Sequence, residues 1–298
     1  MTRRPGLPGG QAALGIVLVV VPLFLALAGP WLAGEAGPRS TSFTLGDGHW
    51  LGTDFTGRDV WRQVLLGGRS VVLTALTATA LAYLIAVPLG LAAALTHRPW
   101  LEELLMRPLD VVLAIPSLLL LLMAAALLNP GPAGLALIVA LVNVPDTARI
   151  VRAAGTDAAS RPAVEAMRMQ GESWSRMAFG YVGRSMLRTL TADAGVRLTG
   201  ALYLVATAAF LGVGMAPDAA DWAVMVDRNR TGLFVQPWAV VVPAVLIVAL
   251  SVGTNLLFDA RLARRRTHRA GALGRSFRGT GLRKAGAAGP DTTDRSAT

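Results

Sequence analysis

The sequence predicts an all-α, polytopic membrane protein whose chain crosses the bilayer six times. Three observations lead to this fold class. Of the 298 residues, 53% are hydrophobic and only 15% are charged. Six apolar runs approach the ~20 residues that a helix needs to cross the hydrocarbon core. The basic residues lie mostly in alternate connecting segments, as expected when Lys and Arg are retained on one side of a membrane.

The six predicted spans are joined by polar or proline-containing segments. A soluble domain of this length would show shorter apolar stretches broken by amphipathic periods. Residues 129–132, Asn-Pro-Gly-Pro, form an uncharged turn between the third and fourth spans. The predicted spans are 12–33, 70–95, 109–128, 133–151, 190–212 and 237–258. Pro88, Pro116 and Pro243 lie within these spans and are expected to kink their helices.

The N-terminal run has two interpretations. Arg3-Arg4, an apolar stretch and Ala26-Leu27-Ala28 fit a cleavable signal peptide. The run continues to Trp31, however, and this length favours an uncleaved anchor. We therefore divide the chain into an anchor helix with an outer loop at 1–50, a transmembrane domain at 51–260 and a basic tail at 261–298. The tail has too few large apolar groups to form a core and is predicted to be largely disordered.

The distribution of charge predicts the orientation. With the N-terminus inside the cell, the segments 96–108, 152–189 and the tail are cytoplasmic, and together with the N-terminal arginines they hold most of the 28 Lys and Arg. An even number of spans then places both termini in the cytoplasm. The arginines that follow the last span are expected to contact anionic lipid, and we prefer this to nucleic-acid binding.

Several kinds of chemistry are disfavoured by composition. The chain has no cysteine, which excludes disulfides, thiolate metal sites and cysteine nucleophiles. Its three histidines, His49, His97 and His268, all lie outside the predicted spans. The phosphate-binding loop of an ATPase needs a Gly-Lys pair, whereas the only lysine here is Lys284 in the tail. We predict no enzyme activity, no bound cofactor and no metal for this chain.

Charged residues near the spans are few. Asp110, Asp146 and Asp193 fall at predicted span ends, so paired intramembrane carboxylates are not expected. Asp193 and Arg197 have i, i+4 spacing and can neutralise each other, which favours a structural pair over a substrate site. A secondary transporter would want ionisable groups deep in several spans or interrupted repeat helices, and this is the less favoured alternative.

The segment 164–182 is charged and amphipathic although it lies between two apolar runs. Ser160 is the predicted N-cap of a first short helix, and Gly171 is its predicted stop. Ser173 is predicted to cap a second short helix with one apolar face. That face contains Trp174, Met177, Ala178, Tyr181 and Val182. It suits either a helix lying on lipid headgroups or a helix that fits a groove on a soluble partner, and periodicity favours neither.

Several motifs carry a family resemblance. Glu165-Ala166-Met167 followed by Gly171 resembles the EAA-x-x-x-G motif of the inner-membrane permease subunits of binding-protein-dependent ABC importers. Residues 51–73, LGTDFTGRDVWRQVLLGGRSVVL, resemble the segment before the second span in the dipeptide/oligopeptide/nickel branch of that family. Further similarities run to residue 259, so the resemblance covers roughly 50–260. The chain is most similar to the second permease of a pair.

The segment 51–73 holds closely spaced opposite charges, Asp54, Arg58 and Asp59. We favour local ion pairs in an interfacial helix over a contact with the extracytoplasmic binding protein.

The resemblance implies a mechanism. Two homologous permease subunits form one translocation path, two cytoplasmic ATP-binding subunits bind the ATP, and an extracytoplasmic protein delivers a peptide, or nickel. The loop 153–185 would then be a coupling-helix loop that docks onto an ATPase and drives alternating access. The implied coupling residues are Glu165, Ala166, Met167, Gly171, Trp174 and Met177. The implied location is the inner membrane, and the substrate residues are unknown.

The coupling segment departs from the family pattern. Met167 stands where alanine is usual, Gln170 stands where leucine is usual, and Gly183-Arg184 falls near the position of a Leu-Pro pair. These differences keep open an alternative in which the chain is a divergent, non-transporting scaffold or assembly subunit.

Overall fold

The computed structural model describes residues 8–46, 48–258 and 260, and the predicted basic tail lies outside them. Helices dominate this part of the chain. A π-helical segment, Arg176–Gly183, runs directly into α7, and a short 3₁₀ helix, Arg230–Gly232, follows α8. The α-helices are α1 (Pro8–Leu32), α2 (Val60–Leu95), α3 (Pro99–Leu113), α4 (Ser117–Leu128), α5 (Pro132–Ala159), α6 (Pro162–Met169), α7 (Arg184–Phe210), α8 (Trp222–Asn229) and α9 (Trp238–Phe258).

The all-α membrane class is confirmed. Among the described residues, four helices are long and apolar enough to cross a bilayer: α1, α2, α5 and α9. The bent pair of α3 and α4 gives a fifth if it counts as one span. The predicted fifth span lies in α7, which has 27 residues but carries four charged side chains. It does not meet the same test of length and composition, so the number six stays a prediction.

The third predicted span, 109–128, is not one continuous helix. It divides into α3 and α4, whose axes meet at 89°. The break falls at Pro116, which has no amide N–H to donate and also disfavours helical geometry at the residue before it. Pro116 itself has an extended ψ of 128°. The proline was predicted to kink a helix, and the structure shows a complete interruption.

The second predicted span begins ten residues earlier than the apolar run indicated. The Asp59 carboxylate caps α2, where its Oδ1 accepts hydrogen bonds from the amides of Trp61 at 2.7 Å and Arg62 at 3.3 Å. A side chain that accepts from the first amides satisfies donors with no partner inside the helix. The polar first turns of α2 therefore belong to the helix, which is 36 residues long.

The centre of the bundle is the contact between α2 and α5. Small residues recur every fourth position on the buried side of α2, at Ala78, Ala82, Ala86 and Gly90. A Cβ at Gly90 would lie 2.8 Å from the carbonyl oxygen of Ala148 in α5, so only glycine fits this approach. Small residues at such an interface let two backbones pack closely, which is the common way for helices to associate in lipid.

We call the end of the bundle where α6 lies the loop end. At the opposite end α8 packs against α2, and Trp222 of α8 is completely buried. Its indole Nε1 donates to the carbonyl oxygen of Val64 at 2.8 Å. Gly68 leaves the room for this ring, because a Cβ there would overlap both Trp222 and the backbone of Ala26. One aromatic side chain thus joins α1, α2 and α8.

Candidate functional site

The helix α6 begins one residue later than predicted. Arg161 occupies the N-cap position, its side chain makes no capping bond, and Pro162 fills the first turn. Ser160, the predicted cap, instead ends α5, and its hydroxyl donates to the carbonyl oxygen of Asp157 at 2.9 Å. The prediction failed because α5 continues to Ala159 and leaves only two residues between the helices.

Gly171 ends α6, as predicted. Its φ of +74° lies in the left-handed region, where a side chain would be strained. The amide of Gly171 donates to the Arg168 carbonyl, and the amide of Glu172 donates to the Met167 carbonyl, both at 3.0 Å. This pair of bonds is the Schellman motif, which satisfies carbonyls left free at a helix end. Gly171 therefore determines the shape of the turn that ends α6.

The second short helix is the beginning of a longer one. Helical geometry starts at Trp174, passes through the π-helical segment and continues into α7. Met177, Ala178 and Val182 are buried, together with Leu91 of α2, Val151 of α5 and Val164 of α6 among others. The predicted apolar face is therefore covered by the chain itself. The prediction of a face on lipid or in a partner's groove was wrong for these residues.

Trp174 does not belong to that buried face. Trp174 is 45% exposed, and the plane of its ring lies at 86° to that of Phe179, with the ring centroids 6.1 Å apart. A strict α-helical period had placed it with Met177, but the i→i+5 pattern of the following π-helical segment changes the angular spacing of side chains. Sequence periodicity gives no warning of this change.

The six predicted coupling residues divide into two groups. Glu165, Ala166, Gly171 and Trp174 are exposed, whereas Met177 is buried and Met167 is half-buried against the same cluster. Met169, which the prediction did not include, is 86% exposed. We call the exposed set Glu165, Ala166, Met169, Gly171 and Trp174 the loop face.

The loop face is held rigidly on the bundle. Val164 is completely buried beneath α6. Arg168 reaches back to α2, where its NH2 donates to the Leu95 carbonyl at 3.4 Å. At the other side of the turn, Arg176 bonds both carboxylate oxygens of Glu172 at 3.1 and 2.9 Å. The loop face is therefore a fixed extension of α2, α5 and α7, and it presents one carboxylate with apolar and aromatic groups.

A second polar cluster joins α2, α5 and α7 inside the bundle. The Tyr83 hydroxyl donates to Asp193 Oδ2 at 2.6 Å. Arg197 lies between two carboxylates, with its Nε 3.3 Å from Asp193 Oδ1 and its NH1 3.0 Å from Asp146 Oδ2. The predicted pairing of Asp193 with Arg197 is confirmed. The contact of Arg197 with Asp146 was not predicted, because it joins two helices through residues 51 positions apart in the chain.

Two further ion pairs lie below Asp146 on α5. Arg149 bonds Asp110 of α3 at 2.6 Å, and Arg152 bonds Glu102 of α3. Asp146, Arg149 and Arg152 follow one another at intervals of three, a spacing that places them on neighbouring faces of α5. This periodic run of charges in 146–152 was the sequence signal that could have revealed the cluster. Within the described residues, no group of three or more His, Asp or Glu side chains could hold a metal ion.

The charges of 51–73 have roles different from those predicted. Asp54 is 5% exposed, and its Oδ1 accepts hydrogen bonds from Thr56 and from the Arg58 amide, each at 2.8 Å. Asp59 caps α2, and its Oδ2 lies 3.2 Å from His49 Nδ1. Arg58 donates to the Asp218 carbonyl rather than to a carboxylate. Local ion pairs were expected, but these side chains chiefly satisfy backbone groups.

Comparisons with known proteins agree with this architecture. Residues 86–267 match the family model described as binding-protein-dependent transport system inner membrane component. A probable D,D-dipeptide transport system permease protein of Escherichia coli (strain K12) is 31% identical over 249 residues, which cover 82% of this chain and 83% of that protein.

Other relatives carry similar names. A putative peptide transport system permease protein of Brucella suis biovar 1 (strain 1330) is 30% identical, over 83% of this chain and 84% of the relative. A di/tripeptide transport system permease protein of Pseudomonas aeruginosa (strain UCBPP-PA14) is 29% identical, over 82% and 84% respectively. The chain therefore belongs to the family of inner membrane components of binding-protein-dependent transport systems.

Proposed function

We propose that this chain is a permease subunit of an ATP-driven importer of peptides and forms half of a translocation path with a second, homologous permease. The membership of the family and the extended similarity to proteins named as peptide permeases support this proposal. Peptides are favoured over nickel because the relatives described above are named for peptides.

The loop face is the surface that would dock onto an ATP-binding subunit. This assignment rests on the contrast between the buried inner residues of the segment 164–182 and its exposed outer residues. Its inner residues are packed onto α2 and α5, while Glu165, Met169 and Trp174 project outward. An aromatic side chain, a flexible methionine and a carboxylate on a rigid support form a suitable anchor for a groove on a partner.

The connections of the loop suggest how force would pass into the membrane. α6 follows α5 after two residues, and the segment beyond Gly171 is continuous with α7. Movement of a docked ATPase would therefore displace two helices of the bundle directly. The ATP would be bound by the partner subunits, and a binding protein outside the membrane would supply the substrate.

The test uses the complete complex of both permeases, the ATP-binding subunits and the binding protein in proteoliposomes. The wild-type complex is expected to take up tritiated dialanine when ATP is present. Glu165→Arg and Trp174→Asp are expected to lower uptake at least tenfold and to remove the stimulation of ATP hydrolysis by the binding protein. Glu103→Arg, at an exposed carboxylate of α3, is the matched control and should retain uptake within twofold.

Point variants are preferable to deletion of 164–182, which would also remove the buried Val164, Met177 and Val182. Normal uptake by the Glu165→Arg/Trp174→Asp double variant would overturn the docking assignment. Failure of the wild-type complex to take up any peptide would overturn the proposed transport function and favour a scaffold.

A further inference from the structure

The break between α3 and α4 opens into a cavity beside the charged cluster. The cavity has a volume of about 290 Å³, and its wall includes Ile115, Pro116 and Ser117 from the break. Apolar residues of α3, α4 and α5 form the rest of the wall, apart from one charged group, Asp146. An interrupted helix beside an ionisable group is an arrangement that transport proteins use for binding sites within the membrane.

Asp146 has hydrogen-bonding capacity to spare. Its side chain is 49% exposed, whereas those of Asp193 and Arg197 are 8% and 17% exposed. Arg197 bonds only its Oδ2, and no described residue donates to its Oδ1. Because one guanidinium serves two carboxylates, the three groups together carry an excess negative charge of one. Such a charge attracts a cation.

The backbone at the break adds further acceptors. The amides of Ala114 and Ile115 turn back to Val111 and Val112, both at 3.2 Å. Within the described part of the chain, no backbone amide donates to the carbonyls of Leu113, Ala114 or Ile115, which a continuous helix would have satisfied. A carboxylate oxygen and free carbonyl oxygens suit a ligand with several N–H donors and a positive charge, and a primary ammonium group has three.

The size of the cavity restricts the ligand further. A volume of about 290 Å³ is at the lower limit of ordinary small-molecule pockets, which begin at roughly 300 Å³. It suits one terminal residue of a peptide better than a complete oligopeptide. The apolar wall would accept a small aliphatic side chain while the polar side held the charged end.

We propose that this cavity is a transit site for the protonated amino terminus of the transported peptide, with Asp146 as its counter-charge and the carbonyls of the wall residues Leu113 and Ile115 as additional acceptors. The assignment rests on the proposed peptide transport. Asp193 is a positioning residue, because it holds Arg197 and has no place in the cavity wall.

Direct binding to the complex separates this site from that of the binding protein. The complex of the two permeases with the ATP-binding subunits is purified without the binding protein, and saturation-transfer NMR is recorded with dialanine and with N-propionyl-alanine, which lacks the amino group. The wild type is expected to transfer saturation to dialanine and at least fivefold less to the propionyl compound.

Two variants with the same change of charge provide the contrast. Asp146→Asn leaves Arg197 paired with Asp193, and Asp193→Asn leaves it paired with Asp146, so either variant neutralises the cluster. We expect Asp146→Asn to reduce the dialanine signal at least fivefold, because it removes both the excess charge and the carboxylate in the cavity wall. Asp193→Asn removes the excess charge but leaves that carboxylate in place, so we expect it to reduce the signal no more than about twofold to threefold. Uptake of dialanine by the complete complex should follow the same order.

Three results would overturn the inference while leaving peptide transport intact: equal signals from the two ligands in the wild type, an unchanged signal in Asp146→Asn, or equal losses in both variants. Uptake by the wild-type complex is measured in parallel. If that uptake is absent, the proposed function itself has failed, and the transit-site assignment that rests on it fails as well.

Discussion

At the end of the bundle where α2 begins, polar side chains are buried and bonded to the chain itself, whereas at the loop end the distinctive side chains face outward. Thr53, Asp54, Asp221, Asn229 and Gln236 are each at most 5% exposed at the first end. At the loop end Glu165, Met169 and Trp174 are exposed, and only the apolar residues beneath them are buried. Among the described residues, the first end bonds nearly all of its buried polar side-chain atoms internally, with Asp221 Oδ2 and Arg62 Nε as exceptions, whereas the loop end presents a rigid surface to its surroundings.

This difference has a consequence for substitutions. Changes at the first end should affect stability, because most of the buried polar groups there have a partner that would be left unpaired. Changes on the loop face should affect coupling and leave stability nearly unchanged. The contrast can be tested by residues of the same type placed in the two environments.

The largest loss of stability is expected for Trp222→Ala. The substitution empties a fully buried site between α1, α2 and α8 and leaves the Val64 carbonyl without its donor. Truncation of a buried tryptophan costs about 3–5 kcal/mol. Trp50→Ala is the control, since Trp50 is 84% exposed and has an edge contact with Trp61. Unfolding of the purified chain in denaturant compares the two, and equal losses would contradict the packing described here.

A smaller but still large effect should separate the two sides of the loop itself. Met177→Asp places a carboxylate in the cluster beneath the loop. It should lower the free energy of unfolding by roughly 3 kcal/mol, because the neighbouring side chains in that cluster are apolar. Met169→Asp changes the same residue type where it is 86% exposed and should alter stability by less than ~0.5 kcal/mol. A large loss from the Met169 variant would show that the loop face is packed rather than free.

The smallest effect is expected at Asp221 and should appear as a change with pH. Burial raises the pKa of this carboxyl, which caps α8 through the amides of Ala223 and Val224. The folded protein therefore binds the proton more tightly than the unfolded chain, so stability falls as pH rises from the unfolded pKa of about 3.9 through the raised folded value.

Asp221→Asn keeps a good capping group but does not ionise. Relative to the wild type it should gain stability as the pH increases through that window, and the two unfolding free energies should converge at the acidic end. Parallel curves for the two proteins across the whole range would contradict the assignment.

The sequence predicted most of the helices and little of what lies between them. Apolar runs located α1, α2, α5 and α9, since a membrane span depends mainly on continuous hydrophobicity. The end of a helix was also predictable where a single residue determines it, as Gly171 does for α6. Pro116 was recognised as a perturbation, but a kink and a right-angle break have the same local sequence and differ in the packing of α4.

The candidate site was predicted by residue type more successfully than by orientation. Glu165 and Trp174 were expected on a docking surface and are exposed, but Met177 of the same set is buried. The difference depends on the π-helical segment, which no periodicity in the sequence signals. Asp146 was placed at a span end because the apolar run stops soon after it, whereas α5 continues to Ala159. Polar residues that continue a helix past its apolar run cannot be distinguished from a loop by hydropathy alone.

The alanine and glycine contact between α2 and α5 has a mechanical implication. Where only alanine and glycine side chains separate two helix backbones, no long flexible side chain can absorb a relative shift of the helices. Closely packed interfaces of this kind transmit strain. We expect α2 and α5 to travel as a single strut between the two faces of the membrane. Any bending of the subunit would then be concentrated in the helices around this pair, above all at the break between α3 and α4 at Pro116.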